Sequence, residues 1–245
     1  VILSAILVCL LLWRHEKVEQ AVVKTVEKVQ EVRTRGTVQD RLDQYGESAR
    51  ERFLPYFEQA EVNYPPPSLT FIGLKSEKTL QIYADDETGR PRFVREYPIL
   101  AASGDLGPKL EQGDRQVPEG IYSIEYFNPN SSYHLSMKID YPNEFDRAMA
   151  LKEGRSNLGG DIMIHGSSVS IGCLAMGDEA IEEIFTMATE TGRTNIRVIL
   201  APVDFRNGIR PEEVSLPEGT PSWIPTLYEK IQEALLDLPS PNPSN

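Results

Sequence analysis

From residue 68 onward, apolar and polar positions alternate in short runs: SLTFIGLK, TLQIYAD, RFVREYPILAAS, GIYSIEYF, HLSMKI, DIMIHG and TNIRVILAPV. Stretches carrying Gly, Pro, Asn and Asp, such as DDETGR and FNPNSS, separate them. Alternation with a period of two, punctuated by turn residues, predicts a mostly antiparallel sheet built from hairpins. One segment has helical spacing instead: Ala180, Ile181, Ile184, Phe185 and Ala188 share a face, with Asp178 after Gly177 as the N-cap candidate. The fold class is therefore mainly β with inserted helices (α+β), in a domain running from about residue 68 to 205. The segment 206–245 follows, with an amphipathic helix in PSWIPTLYEKIQEALLDL and a flexible tail in PSPNPSN.

The pattern before residue 68 is different. VILSAILVCLLLW carries no charge and is followed by Arg14 and His15. This predicts a signal sequence or a membrane anchor over 1–14. The bulky and charged residues after the run, where a small-residue cleavage site belongs, favour an anchor that stays attached. Cys9 reads as a small hydrophobe within that run. Over 15–62, mixed charges at i,i+4 spacing and Val18, Val22, Val26 and Val29 predict a membrane-proximal helical stalk or packing arm. It is interrupted near Gly36 and resumes over about 38–60, until NYPPPS stops it.

Composition fits an ordinary globular chain, with 40% hydrophobic and 25% charged residues among 245. The formal net charge of -12 argues against nucleic acid or an anionic membrane face as the main partner, because both attract basic patches. Two cysteines and three histidines, Cys9 and His15 in or beside the apolar start, lack any paired-ligand spacing, so no metal site is expected.

Cys173 is then the single cysteine outside the apolar start. In an exported chain, such a residue is a buried inert thiol, an intermolecular bridge or a reactive nucleophile. The strand ending at Ile164 delivers His165, and the loop from Gly166 to Gly172 folds back to bring Cys173 near it. A neighbouring imidazole is the simplest activator of a thiol, and Gly172 leaves room for a substrate carbonyl. The backbone amides around Cys173 are natural oxyanion donors. The alternative is a buried thiol beside a histidine that only hydrogen-bonds in a turn.

HGSSVSIGCLAM, residues 165–176, resembles the signature of the L,D-transpeptidase catalytic domain (YkuD-like) family of cell-wall enzymes. YHLSMKIDYPNEFDRA, residues 133–148, resembles the murein L,D-transpeptidase branch of that family, and VPEGIY its usual turn element. The resemblance implies a catalytic β-sandwich. It also implies Cys173 as nucleophile, His165 as its base, Gly166 as the residue whose carbonyl orients the imidazole, and Ser170, Gly172 and Leu174 around the sulfur. His134 and Tyr141 are candidate substrate contacts on a cleft wall; a core role for this stretch is the alternative. Arg115 is a candidate contact or a solvated side chain. Ile171 stands where the family commonly has His, and Ala175 where it commonly has Arg.

The implied chemistry is attack by Cys173 on a peptide bond of a peptidoglycan stem, at the L-centre of its third residue. A thioester forms that an amine or water resolves, with no cofactor or metal. The implied partners are stem peptides, a murein-linked lipoprotein and, through the N-terminal segment, the inner membrane. The implied location is the periplasmic side of that membrane, or the periplasm if the segment is cleaved. Alternatives are an L,D-specific hydrolase, a non-catalytic murein-binding scaffold and a protease of ordinary L-peptides.

Overall fold

The computed structural model describes Lys17, Val18, Gln20, Lys24 and residues 35–241. The apolar start 1–14, most of the segment 15–34 and the tail residues 242–245 lie outside the described residues. The chain divides into two units, 1–37 and 38–245. In the first, Lys17, Val18, Gln20 and Lys24 are helical and exposed. Among the described residues no helix is long and apolar enough to cross a membrane.

The second unit begins with helix α1, Val38–Gln59. Its Ala49, Phe53 and Phe57, spaced four apart, form one stripe and are fully buried. Among the described residues eight strands follow: β1 Leu69–Leu74, β2 Thr79–Asp85, β3 Pro91–Pro98, β4 Gly120–Ser131, β5 His134–Ile139, β6 Met163–His165, β7 Leu174–Ala175 and β8 Ile196–Ala201. They make one open sheet in the order β3-β2-β1-β8-β4-β5-β6-β7. Pairing is mostly antiparallel, as alternation predicts, with β1–β8 and β6–β7 parallel.

The long strand β4 joins the two halves of the sheet. Gly120 to Ser123 pair with β8, whereas the ladder from Ile124 onward pairs with β5 and is broken by bulges. Bulges bend a strand and increase its twist, so β4 passes from one half of the sheet to the other.

Strand β1 explains why the sheet is covered on both sides. All six of its residues are buried: Leu69 and Phe71 belong to one core with α1, whereas Ile72 and Leu74 belong to another. The second core is closed by helix α4, Ile224–Leu236, through Ile224, Leu227, Tyr228, Ile231 and Leu235. The chain stays attached after that helix, because the Pro239 carbonyl accepts hydrogen bonds from Tyr83 and Arg206.

Helix α2, Glu144–Lys152, is capped by Asn143, whose side chain accepts from the Asp146 amide while the Asp146 carboxylate accepts from the Asn143 amide. Helix α3 is Asp178–Thr191, with Ile181, Ile184, Phe185 and Ala188 buried as its spacing predicts. Its cap differs from expectation. Gly177, at φ 83°, occupies the N-cap, and Asp178 is the first helical residue. The Asp178 carboxylate instead accepts the Ser167 amide at 2.7 Å, so it braces the loop after His165.

Candidate active site

His165 ends β6 and Cys173 immediately precedes β7, and these two strands pair in parallel with Ile164 opposite Leu174 and His165 opposite Ala175. The hydrogen-bond ladder therefore brings the ends of the loop 166–172 together. Tyr133, His165, Val169, Ser170, Ile171 and Cys173 line a cleft of about 190 Å³ at this place.

The imidazole is fixed on two sides. Its Nδ1 lies 2.6 Å from the Gly166 carbonyl oxygen, and its ring packs on Tyr133 with centroids 4.8 Å apart. A carbonyl only accepts, so Nδ1 carries the proton and Nε2 is the basic nitrogen. Gly166 tolerates no side chain: a Cβ there would meet the Tyr133 carbonyl oxygen and Asp178 Oδ1, each at 2.8 Å. Burial lowers the His165 pKa, opposed by the Gly166 hydrogen bond. The imidazole is thus held neutral.

Cys173 is a free, half-buried thiol. Its sulfur accepts the Met163 amide at 3.4 Å and donates to the Asp161 carbonyl at 3.7 Å. Burial raises its pKa, the Met163 amide opposes this, and the charges of Asp161 and Lys109 push in opposite directions. Low dielectric disfavours whichever form is charged, so histidine and cysteine shift in opposite directions for one reason. The resting pair is neutral thiol and neutral imidazole.

The other expected residues are distributed unevenly. Ser170 accepts the Cys173 amide at 2.9 Å and donates to the Cys173 carbonyl at 2.6 Å, closing the turn before the sulfur. Gly172 has φ 88°, a left-handed conformation suited to glycine. Leu174 is buried in the core. His134 is turned away from the cleft lining: its Nε2 lies 2.9 Å from Glu182 and its ring packs against Tyr45. Tyr141 is buried, with its hydroxyl donating to the Lys109 and Leu158 carbonyls. Arg115 has an exposed side chain, and its carbonyl accepts from Ser103. Neither His134 nor Tyr141 is therefore a cleft-lining residue.

Three lining residues were not singled out as contacts by sequence: Tyr133, Val169 and Ile171, which are 47%, 59% and 75% exposed. Ile171 was legible only as a departure from the family signature. Tyr133 sits in the β4–β5 turn, which β5–β6 pairing carries next to His165. Ala175, at the position of the family's usual Arg, is fully buried and brings no charge to the cleft.

The family model described as the L,D-transpeptidase catalytic domain, YkuD, matches residues 69–221. YafK of Escherichia coli (strain K12) is 39% identical over 134 residues, which cover 52% of this chain and 51% of YafK. YafK of Escherichia coli O157:H7 gives the same figures. The chain thus spans about half the length of the curated relatives it matches. The helical cell shape determining protein Pgp2 of Campylobacter jejuni aligns with TM-score 0.45 and 24% identity over 54% of this chain and 47% of Pgp2. Bd1075 of Bdellovibrio bacteriovorus aligns with TM-score 0.40 and 18% identity over 69% of this chain and 54% of Bd1075. On the family match across residues 69–221, the chain belongs to the L,D-transpeptidase catalytic domain (YkuD) family.

Proposed function

We propose that this chain is a cysteine-dependent murein L,D-transpeptidase that acts on peptidoglycan stem peptides through a thioester on Cys173. The observation that carries the reading is one cleft lined by both a free thiol and a neutral imidazole whose Nδ1 is committed to Gly166. Because burial disfavours a preformed thiolate–imidazolium pair, the proton leaves sulfur as the carbonyl is attacked. His165 Nε2 receives it and returns it to the leaving nitrogen. The resting thiol donates to the Asp161 carbonyl, so it turns toward the imidazole when substrate binds. The thioester passes to an amine of a second stem, giving a 3-3 cross-link.

A hydrolytic outcome is supported by the cleft lining, which holds no cationic side chain where the family commonly carries Arg. An amine gains its advantage over water chiefly by being held in place, so weaker acceptor positioning lets water compete. On this reading the enzyme opens a cross-link or releases a murein-linked lipoprotein. Either activity belongs in the periplasm, with residues 1–14 as the attachment to the inner membrane.

The test is incubation with a disaccharide tetrapeptide, with and without an added amine acceptor, resolved by mass spectrometry. Transpeptidation gives 3-3 dimers or acceptor adducts, whereas shortened stems alone under both conditions assign the hydrolase. Cys173→Ala is expected to remove all turnover with its circular dichroism unchanged. Turnover by that variant would exclude the thioester, and no adduct or product with the wild-type chain would leave the murein-binding scaffold.

A further inference from the structure

The two amides on either side of Gly172 Cα are both held by serine hydroxyls from different parts of the chain. The Cys173 amide donates to Ser170 within the same turn. The Gly172 amide donates at 2.6 Å to Ser103, a residue 69 positions earlier. The Ser103 hydroxyl donates in turn to the Arg115 carbonyl at 2.7 Å. One oxygen thus joins the nucleophile turn to the segment between β3 and β4.

The surrounding main chain reinforces the junction. Leu100 donates to the Ala175 carbonyl at 2.8 Å, and Ala175 donates to the Ala101 carbonyl at 3.0 Å. Val117 donates to the Ser103 carbonyl at 3.3 Å. Gly172 itself is buried, and a Cβ there would lie 3.4 Å from the Gln116 carbonyl oxygen. The left-handed turn before the nucleophile is therefore seated on residues 115–116, with Ser103 as the side-chain clasp.

We infer that Ser103 is a positioning residue for acyl transfer, holding the Gly172 turn so that the following amide, Cys173 N–H, is aimed at the developing oxyanion. This rests on the acyl-transfer reading proposed above. In that step the S–C bond forms as the carbonyl π-pair moves to oxygen, the C–N bond then breaks, and the thiol proton travels through His165 to the departing nitrogen. Both amides are engaged at rest: Gly172 N–H is tied to Ser103 of another segment, whereas Cys173 N–H is held only within the turn, by Ser170, and is the one released to the oxyanion. Ser170, which lines the cleft, gives up that amide when the oxyanion forms and keeps its own bond to the Cys173 carbonyl.

Acylation and alkylation of the same thiol separate this role from a structural one. Acylation by a carbapenem or by the disaccharide tetrapeptide passes through an oxyanion, whereas alkylation by iodoacetamide displaces iodide at a saturated carbon and forms none. Both rates are read by intact mass on the full chain, for the wild type, Ser103→Ala, Ser103→Gly and Ser103→Thr. The Ala and Gly variants are expected to acylate about 10- to 100-fold more slowly while alkylation changes by less than roughly threefold. Thr, which keeps the hydroxyl, restores most of the acylation rate. Acylation of Ser103→Ala at the wild-type rate, or an equal fall in both reactions, overturns the inference while leaving the acyl-transfer reading in place. A wild-type chain that iodoacetamide labels but neither acyl donor acylates overturns the acyl-transfer reading, and the role of Ser103 with it.

Discussion

Lys75 Nζ lies 3.0 Å from Glu119 Oε1, and both side chains are buried. Glu119 also accepts from the Gly107 amide and from the Tyr228 hydroxyl at 2.6 Å, and Lys75 donates to the Gly107 and Val117 carbonyls. Every charged group in the pair has partners, which is what makes burial tolerable. Removing one partner strands the other, so Lys75→Met is expected to cost about 3–5 kcal/mol. The double variant Lys75→Met/Glu119→Gln is expected to be more stable than the sum of the single losses predicts. Urea unfolding of the four proteins checks this, and strictly additive losses would refute the coupling.

The electrostatics of the cleft set a pH profile. Burial holds the His165 imidazole below its ordinary pKa and pushes the Cys173 thiol above its own. The value of kcat/KM is expected to be level across neutral pH and to fall only on the acid side of the ordinary imidazole range, as His165 takes up a proton. Iodoacetamide labelling of Cys173 is expected to be slow at neutral pH and to rise through a midpoint above the ordinary thiol range. A midpoint near 5 would mean a preformed thiolate and would contradict the neutral pair. His165→Ala is expected to lower turnover by about 10²- to 10⁴-fold while circular dichroism stays native.

Asp146 predicts a stability trend of the opposite sign to that of His165. Burial raises its pKa from 3.8 to about 6, against the hydrogen bonds from the Asn143 amide and Tyr122. The folded state thus binds this proton more tightly than the unfolded state. Its contribution is fully present below pH 3.8 and is lost as pH rises through about 6. The lowered pKa of His165 acts oppositely and removes stability as pH falls below about 6.5. The wild type minus Asp146→Asn difference isolates the carboxyl: on going from pH 7 to 4 the wild type is expected to gain about 2–3 kcal/mol relative to the variant. A difference that is flat with pH would show that the carboxyl is not held protonated.

Phe53 of α1 is fully buried and packs edge-on against Phe57 and tilted against Tyr64. Phe53→Ala is expected to destabilise the fold by about 3–5 kcal/mol. Thermal unfolding measures it. A loss near zero would make the helix an appendage to the sheet rather than part of its core.

Strands were legible where one local rule was enough. Alternation places β1, β2 and β5, and helical spacing places the buried face of α3, because both patterns are read from neighbouring residues. That His165 and Cys173 line one cleft was legible for the same reason, since their glycine neighbours and loop length are local. The α3 cap was misread, since Asp178 looks like a capping carboxylate until the loop after His165 is seen to use it. His134 and Tyr141 lie within a family-like stretch, which is what makes them look like substrate contacts in the sequence. Glu182 and the Lys109 and Leu158 carbonyls, which take up their polar atoms, come from elsewhere in the chain. Tyr133 was invisible as a cleft residue, and Ser103 as a partner of the Gly172 amide, for a related reason: register and tertiary packing, rather than any motif, bring them there.

The parallel pairing of β6 with β7 also bears on how this site can change. Loops that join two positions already pinned by a ladder tolerate substitution and even altered length, because the pins carry the geometry. Val169 and Ile171 project from such a loop, exposed at the mouth of the cleft. The entrance at Val169 and Ile171 can therefore be rewritten residue by residue while the placement of His165 opposite the strand that Cys173 leads into stays with the sheet.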